Sequence, residues 1–151
     1  MKLQRDLREF IELLNSHRVE YLVVGGHAVA FHGYPRFTGD VDFFVRRTEA
    51  NAHRLTAALA EFGFDQAHLD ASVFTQANKV VQMGVPPNRI DILTTISGVE
   101  FEDAWSDRVA SDLDDLPVAY LSRRALLENK RAAGRAKDLV DLEKLTARCS
   151  E

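Results

Sequence analysis

The stretch Tyr21-Leu22-Val23-Val24-Gly25-Gly26-His27-Ala28-Val29-Ala30-Phe31-His32-Gly33-Tyr34-Pro35-Arg36-Phe37-Thr38-Gly39-Asp40-Val41-Asp42-Phe43-Phe44-Val45 decides the fold of this 151-residue chain. It opens on an apolar run, Tyr21 to Val24, that stops at two glycines, and it closes on Asp40-Val41-Asp42 running into Phe43 to Val45. Both runs are short, β-branched or aromatic, and bounded by glycine, so they read as buried strands. The apolar segment His27 to His32 reads as one or two turns of helix. The unit is strand, Gly-Gly turn, helix, loop, strand.

Residues i and i+2 of a strand share a face, so Asp40 and Asp42 place two carboxylates together while Val41 points to the core. Adjacent like charges call for a cation, and Mg²⁺, a hard ion bound by oxygen and commonly shared with phosphates, suits them. The bland alternative is a polar turn at Gly39-Asp40 and a solvated Asp42. A Gly-Gly turn lets a backbone approach a phosphate, and N–H groups at a helix start attract anions. Thirteen residues separate Gly26 from Asp40, so a phosphate-accepting turn and a metal-binding pair can lie at the ends of neighbouring strands. In Asn88-Arg89-Ile90-Asp91-Ile92-Leu93, Ile90 and Ile92 take one strand face and Asp91 the other. A buried carboxylate needs a partner. That partner is either a metal shared with Asp40 and Asp42 or a salt bridge to an arginine such as Arg89.

Together these motifs resemble the nucleotidyltransferase superfamily of DNA polymerase beta-like fold in its small bacterial form. The resemblance rests on Gly25-Gly26-His27-Ala28, His32-Gly33, Arg36-x-Thr38, Asp40-x-Asp42 and Asp91, and on Lys130 followed by Gly134-Arg135-x-Lys137-Asp138-x-x-Asp141. It covers nearly the whole chain, and the subgroup includes enzymes of toxin–antitoxin and abortive-infection systems. It implies an α+β fold: a mixed sheet flanked by helices, with C-terminal helices. It further implies one nucleotidyltransferase domain over 1–151, with a catalytic core at 1–98 and a hairpin and helical part at 99–151. By resemblance, Asp40, Asp42 and Asp91 are catalytic and bind Mg²⁺ in a two-metal transfer of a nucleoside monophosphate from a triphosphate to a hydroxyl. Asp40 and Asp42 would hold two Mg²⁺ ions, and Asp91 would ligate the acceptor-side ion or take the hydroxyl proton. Gly25, Gly26, Arg36, Thr38 and Lys130 contact a nucleoside triphosphate. The acceptor is left open, with tRNA, a partner protein or a small molecule all compatible, and a toxin–antitoxin partner is possible within the subgroup. Gly26 stands where many relatives carry serine, so a hydroxyl contact to phosphate is missing. The competing reading is a non-catalytic component that binds nucleotide or a partner.

The rest of the composition narrows the class. Hydrophobic residues make up 46% of the chain, and 151 residues suit one domain with a moderate core. No apolar run reaches the roughly 18 residues of a membrane span, and Met1 to Asp6 is not followed by a signal core, so a cytoplasmic location is expected. The one cysteine, Cys149, lacks an internal disulfide partner and has no companion at zinc-ligand spacing. The net charge of −4 argues against a broad nucleic-acid groove. Charge is uneven: residues 122–148 carry eight basic and four acidic side chains. That face either meets triphosphate or is merely solvated.

Elsewhere, Leu3 to Ser16 reads as an amphipathic helix. Thr48 to Phe62 reads as a helix capped by Thr48 and ended by Gly63. Val73-Phe74 and Lys79 to Met83 read as short strands, and Arg89 to Thr95 as the strand bearing Asp91. Phe101 to Trp105 suggests a short helix. Arg108 to Ala110 and Val118 to Tyr120 suggest a hairpin across Asp112 to Asp115. Ser122 starts one helix, and Gly134 separates it from a second, Arg135 to Ala147. By resemblance, Lys130 or Lys137 faces the nucleotide phosphates; Lys130 is the better candidate, and Lys137 reads rather as an i,i+4 pair with Asp141. His27 and His32, five apart, read as capping or packing groups rather than metal ligands.

Overall fold

A computed structural model describes residues 4–33, 39–64, 70–85 and 88–149. The expected phosphate contacts Arg36 and Thr38 lie outside the described residues. The elements follow in the order α1 (Arg5–Ser16), β1 (Tyr21–Val24), α2 (Gly25–Phe31), β2 (Val41–Val45), α3 (Glu49–Phe62), a 3₁₀ helix (Ala71–Thr75), β3 (Val80–Met83) and β4 (Ile90–Leu93). Then come α4 (Phe101–Ser106), β5 (Val109–Leu113), β6 (Leu116–Tyr120), α5 (Arg123–Ala133) and α6 (Ala136–Cys149).

One six-stranded mixed sheet runs β3-β4-β2-β1-β6-β5. β1 pairs antiparallel with β2, β2 parallel with β4, and β1 parallel with β6. The hairpins β3–β4 and β5–β6 form its two edges. The sheet therefore continues from the first part of the chain into the second, since β6 docks beside β1 at Val23 and Tyr120.

The central strands are apolar without alternation because helices cover both faces. Tyr21, Val23, Val41, Phe43, Val45, Ile90 and Ile92 pack with Leu7, Phe10, Ile11 and Leu14 of α1 and Leu55 and Leu59 of α3. Leu22, Val24 and Phe44 point the other way, to Ala28 and Val29 of α2, Phe101 of α4, Leu126 of α5 and Leu145 of α6. Asp42 and Asp91 alternate with residues of the first group and so stand on this second face. Among the described residues no helix is long and apolar enough to cross a membrane.

Local chemistry sets the boundaries. Thr48 accepts the Asn51 N–H and starts α3, and Gly63 ends it with φ of 97°. Ser122 accepts the Ala125 N–H and starts α5, and Gly134 ends it with φ of 62°. The β5–β6 hairpin turns on Asp114 and Asp115, whose φ values of 49° and 64° suit a two-residue primed turn. Val73-Phe74, expected as a strand, belongs instead to the 3₁₀ helix. The Asp70 carboxylate accepts the Ser72 N–H at 2.8 Å and closes that turn, and fully buried Phe74 anchors it. Two apolar residues are too few to set a period against a local cap. Helix α2 begins at Gly25 itself, two residues earlier than its apolar segment suggests.

His27 of α2 is buried, and its Nε2 has no hydrogen-bond partner among the described residues. Burial pushes its pKa down to about 4. The unfolded chain gains a proton near pH 6.5 that the native state refuses, so stability is lost as pH falls from about 6.5 toward 4. Between pH 7 and pH 5 the wild type should lose about 2 kcal/mol more than His27→Leu, read from urea unfolding midpoints.

Candidate functional site

The end of β1 and the starts of β2 and β4 meet at one end of the sheet. Antiparallel pairing sets Val24 opposite Asp42, and parallel pairing sets Asp42 opposite Asp91. The chain then turns at Gly25 with φ of 68°, a conformation glycine adopts without strain. A Cβ on Gly25 would lie 2.1 Å from Asp42 Oδ2, so the carboxylate rests directly on the backbone of the turn. Gly25→Ala should therefore displace the Asp42 side chain and strain the turn. The expected cost is roughly 2 kcal/mol in thermal unfolding, with loss of any function that needs Asp42.

Asp40 precedes β2, and its Oδ1 accepts the backbone N–H of Arg89 at 2.8 Å. The Arg89 guanidinium grips Asp91 on both oxygens, Nε to Oδ1 at 2.8 Å and Nη2 to Oδ2 at 3.1 Å. Its Nη2 also lies 3.9 Å from Asp40 Oδ2. The salt bridge weighed for Asp91 is thus present, and so is the proximity to Asp42. Burial pushes the Asp42 pKa up to about 7, followed by the charge and shared hydrogen bond of Asp91 and the charge of Asp40, with Arg89 opposing. These carboxylates strain against one another in a partly desolvated place.

The carboxylates open onto a cleft of about 850 Å³ lined by Gly25, Gly26, Asp40, Asp42, Asp91 and Lys130. All the expected site residues that lie within the described residues thus share one cavity. Arg89, Thr95, Ser97, Asn129, Arg135 and Lys137 complete its polar wall. Three carboxylates and the cations Arg89, Arg135 and Lys137 face one space, with Lys130 enclosed in its wall, a charge pattern suited to a polyanion that carries its own cation.

Lys130 is not the solvent-facing cation expected of a phosphate contact. It is 3% exposed, and its Nζ lies 3.1 Å from Asp138 Oδ1 and 3.1 Å from Asp141 Oδ2. Asp138 and Asp141 are 1% and 2% exposed, so one lysine stands between two carboxylates away from water, and a second positive charge is needed to balance them. Arg135 adds Nε to Asp138 Oδ2 at 2.6 Å. Burial alone would raise the Asp138 pKa, but the bonds from Arg135 and Lys130 hold it below the usual carboxylate range. The expected Lys137–Asp141 pairing gives way to Lys130–Asp141, because α5 packs on α6 and brings the lysine of one helix to the aspartates of the other. Lys137 instead lines the cleft.

Sequence reasoning missed Arg135 as a cleft residue and Asp138 and Asp141 as the seat of Lys130. Acidic residues three apart on α6 share a face, a signal available in the sequence. That this face is buried was not.

The carboxylates fit Mg²⁺ by the chemistry of their donors: all-oxygen, anionic and partly buried against a glycine turn. Among the described residues no three acidic, histidine or cysteine side chains are already drawn into a metal-ligating group. The Arg89 fork stands on Asp91 and reaches toward Asp40.

No family model matches the chain, and the search of curated proteins found no match. Among solved structures, the chain is similar to a Thermotoga maritima protein described as a putative nucleotidyltransferase, at a TM-score of 0.61 and 16% identity, over 95% of this chain and 92% of that one. The mixed sheet with flanking helices is a nucleotidyltransferase-like fold.

Proposed function

We propose that the chain is a Mg²⁺-dependent nucleotidyltransferase that moves a nucleoside monophosphate from a triphosphate to a hydroxyl acceptor. The observation that carries this reading is the facing of Asp42 and Asp91 on adjacent parallel strands, against the Gly25 turn, in a cleft that also presents cations. Asp40, Asp42 and Asp91 would hold the metal. Bound Mg²⁺ would neutralise triphosphate charge and lower the pKa of the acceptor hydroxyl.

In the transfer, the acceptor oxygen bonds to the α-phosphorus and the bond from that phosphorus to pyrophosphate breaks. The hydroxyl proton leaves to a carboxylate, for which Asp91 stands closest to Asp42 in register. The Gly25 and Gly26 backbone offers N–H groups to the phosphates, with no side chain to keep them at a distance. Lys137 and Arg135 add cations to the cleft wall. Positioning and charge neutralisation would supply most of the rate.

The test is incubation with α-labelled triphosphates, Mg²⁺ and a cell extract. Wild type should label an RNA, protein or small-molecule fraction, and that fraction identifies the acceptor class. Equal labelling by Asp42→Asn would refute the assignment. Triphosphate binding by calorimetry without transfer to any fraction would support a non-catalytic nucleotide-binding component instead.

A further inference from the structure

Two of the three carboxylates at the cleft are engaged by a single residue. The Arg89 guanidinium binds both oxygens of Asp91, at 2.8 and 3.1 Å, and its Nη2 stands 3.9 Å from Asp40 Oδ2. A fork of this kind takes one lone pair from each oxygen, two of the roughly four the carboxylate offers. A hard cation on the remaining ones, at only about 2.0–2.1 Å, sits close to the guanidinium's positive charge. Guanidinium and metal therefore compete for Asp91 through charge repulsion across one carboxylate.

Exposure decides which group can move. The Arg89 side chain is 31% exposed, and that of Asp91 only 10%. Arginine can swing to water by giving up its two bonds to Asp91, whereas the aspartate is held in place by the β2–β4 pairing. The Arg89 backbone N–H to Asp40 Oδ1 bond, at 2.8 Å, does not depend on the guanidinium and would keep Asp40 oriented after the swing.

We propose that Arg89 is a built-in substitute cation: it pairs with Asp91 and stands beside Asp40 in the metal-free protein, competes with the divalent ion, and is displaced when that ion binds. The proposal rests on the reading of these carboxylates as a metal site. It makes the arginine a brake on metal loading, with a stabilising role before loading and none in the loaded carboxylate cluster.

The experiment titrates the full chain, without nucleotide, with Mn²⁺ followed by electron paramagnetic resonance and with Mg²⁺ followed by calorimetry. Arg89→Gln should bind either ion about tenfold more tightly than wild type. Arg89→Lys, which keeps the charge but not the fork, should fall between them. Asp42→Asn should lose binding. If Asp42→Asn loses binding while Arg89→Gln binds no more tightly than wild type, the arginine proposal is overturned and the metal site stands. If Asp42→Asn binds as wild type does, the metal-site reading fails and takes the proposal with it. Should Arg89→Gln not fold by circular dichroism, the wild-type Arg89 Nε–H resonance serves instead. It should shift in proportion to Mg²⁺ saturation, and a resonance unmoved at saturation overturns the proposal.

Discussion

Asp42→Asn should abolish the proposed nucleotide transfer, by on the order of a thousandfold or more, and at the same time make the metal-free protein more stable at neutral and alkaline pH. The two effects share one cause. Asp42 is held against the Gly25 turn and faces Asp91, so ionising it is costly, and its pKa is pushed up to about 7 by burial and then by its acidic neighbours. In the unfolded chain the same group ionises near 3.8. Between those two values the native state keeps a proton that the unfolded state has lost. The metal-free wild type therefore loses stability as pH rises from about 4 to about 7, by up to about 4 kcal/mol. The amide removes that loss while also removing the charge that a divalent ion requires. Urea unfolding of wild type and variant from pH 5 to pH 8 reads the stability arm, and labelled-triphosphate transfer reads the activity arm. Adding Mg²⁺ at pH 8 should stabilise the wild type, by about 2.7 kcal/mol at a hundredfold excess over its Kd, and leave Asp42→Asn unmoved. A variant that loses transfer but keeps the wild-type pH profile of stability would mean that Asp42 is not the strained carboxylate.

Lys130→Met should destabilise the protein by roughly 3–5 kcal/mol, because it leaves Asp138 and Asp141 buried with their central cation gone. Both aspartates are almost fully enclosed, and Arg135 reaches Asp138 from a largely exposed position. Melting should drop by roughly 10 °C for a chain of this size. The triple variant Lys130→Met, Asp138→Asn, Asp141→Leu, which deletes the charges together, should recover most of that loss, since removing a whole buried ion cluster is far cheaper than breaking it. A lysine whose task was to grip phosphate would behave differently. Its loss would raise the KM for triphosphate at nearly unchanged melting temperature, and the triple variant would recover nothing. The ion cluster also ties α5 to α6, so any part Lys130 plays at the cleft depends on the packing of those two helices.

The helix caps and the hairpin illustrate what local sequence can determine. Thr48 and Gly63 bracket α3, Ser122 and Gly134 bracket α5, and an acidic turn separates β5 from β6. Each rests on an interaction between residues close in the chain, so reading along the chain is enough. The same holds for Asp42 and Asp91 sharing a sheet face, because period-two alternation fixes a side chain's face once its neighbours are apolar. Val73-Phe74 failed because a pair of apolar residues carries no period, and the Asp70 cap that decided the segment lies outside the pair.

From the sequence alone came the strand–Gly-Gly–helix–strand unit, the three acidic positions and most element boundaries, all consequences of short-range periodicity and backbone conformational preference. Tertiary structure alone decided the parallel register that sets Asp42 opposite Asp91, the fork of Arg89 on Asp91, and the burial of Lys130 between Asp138 and Asp141. Those are choices among several available charge partners, and a charge takes the partner that packing brings within 3 or 4 Å while water is excluded. That distance exists only after the helices and strands have closed on one another.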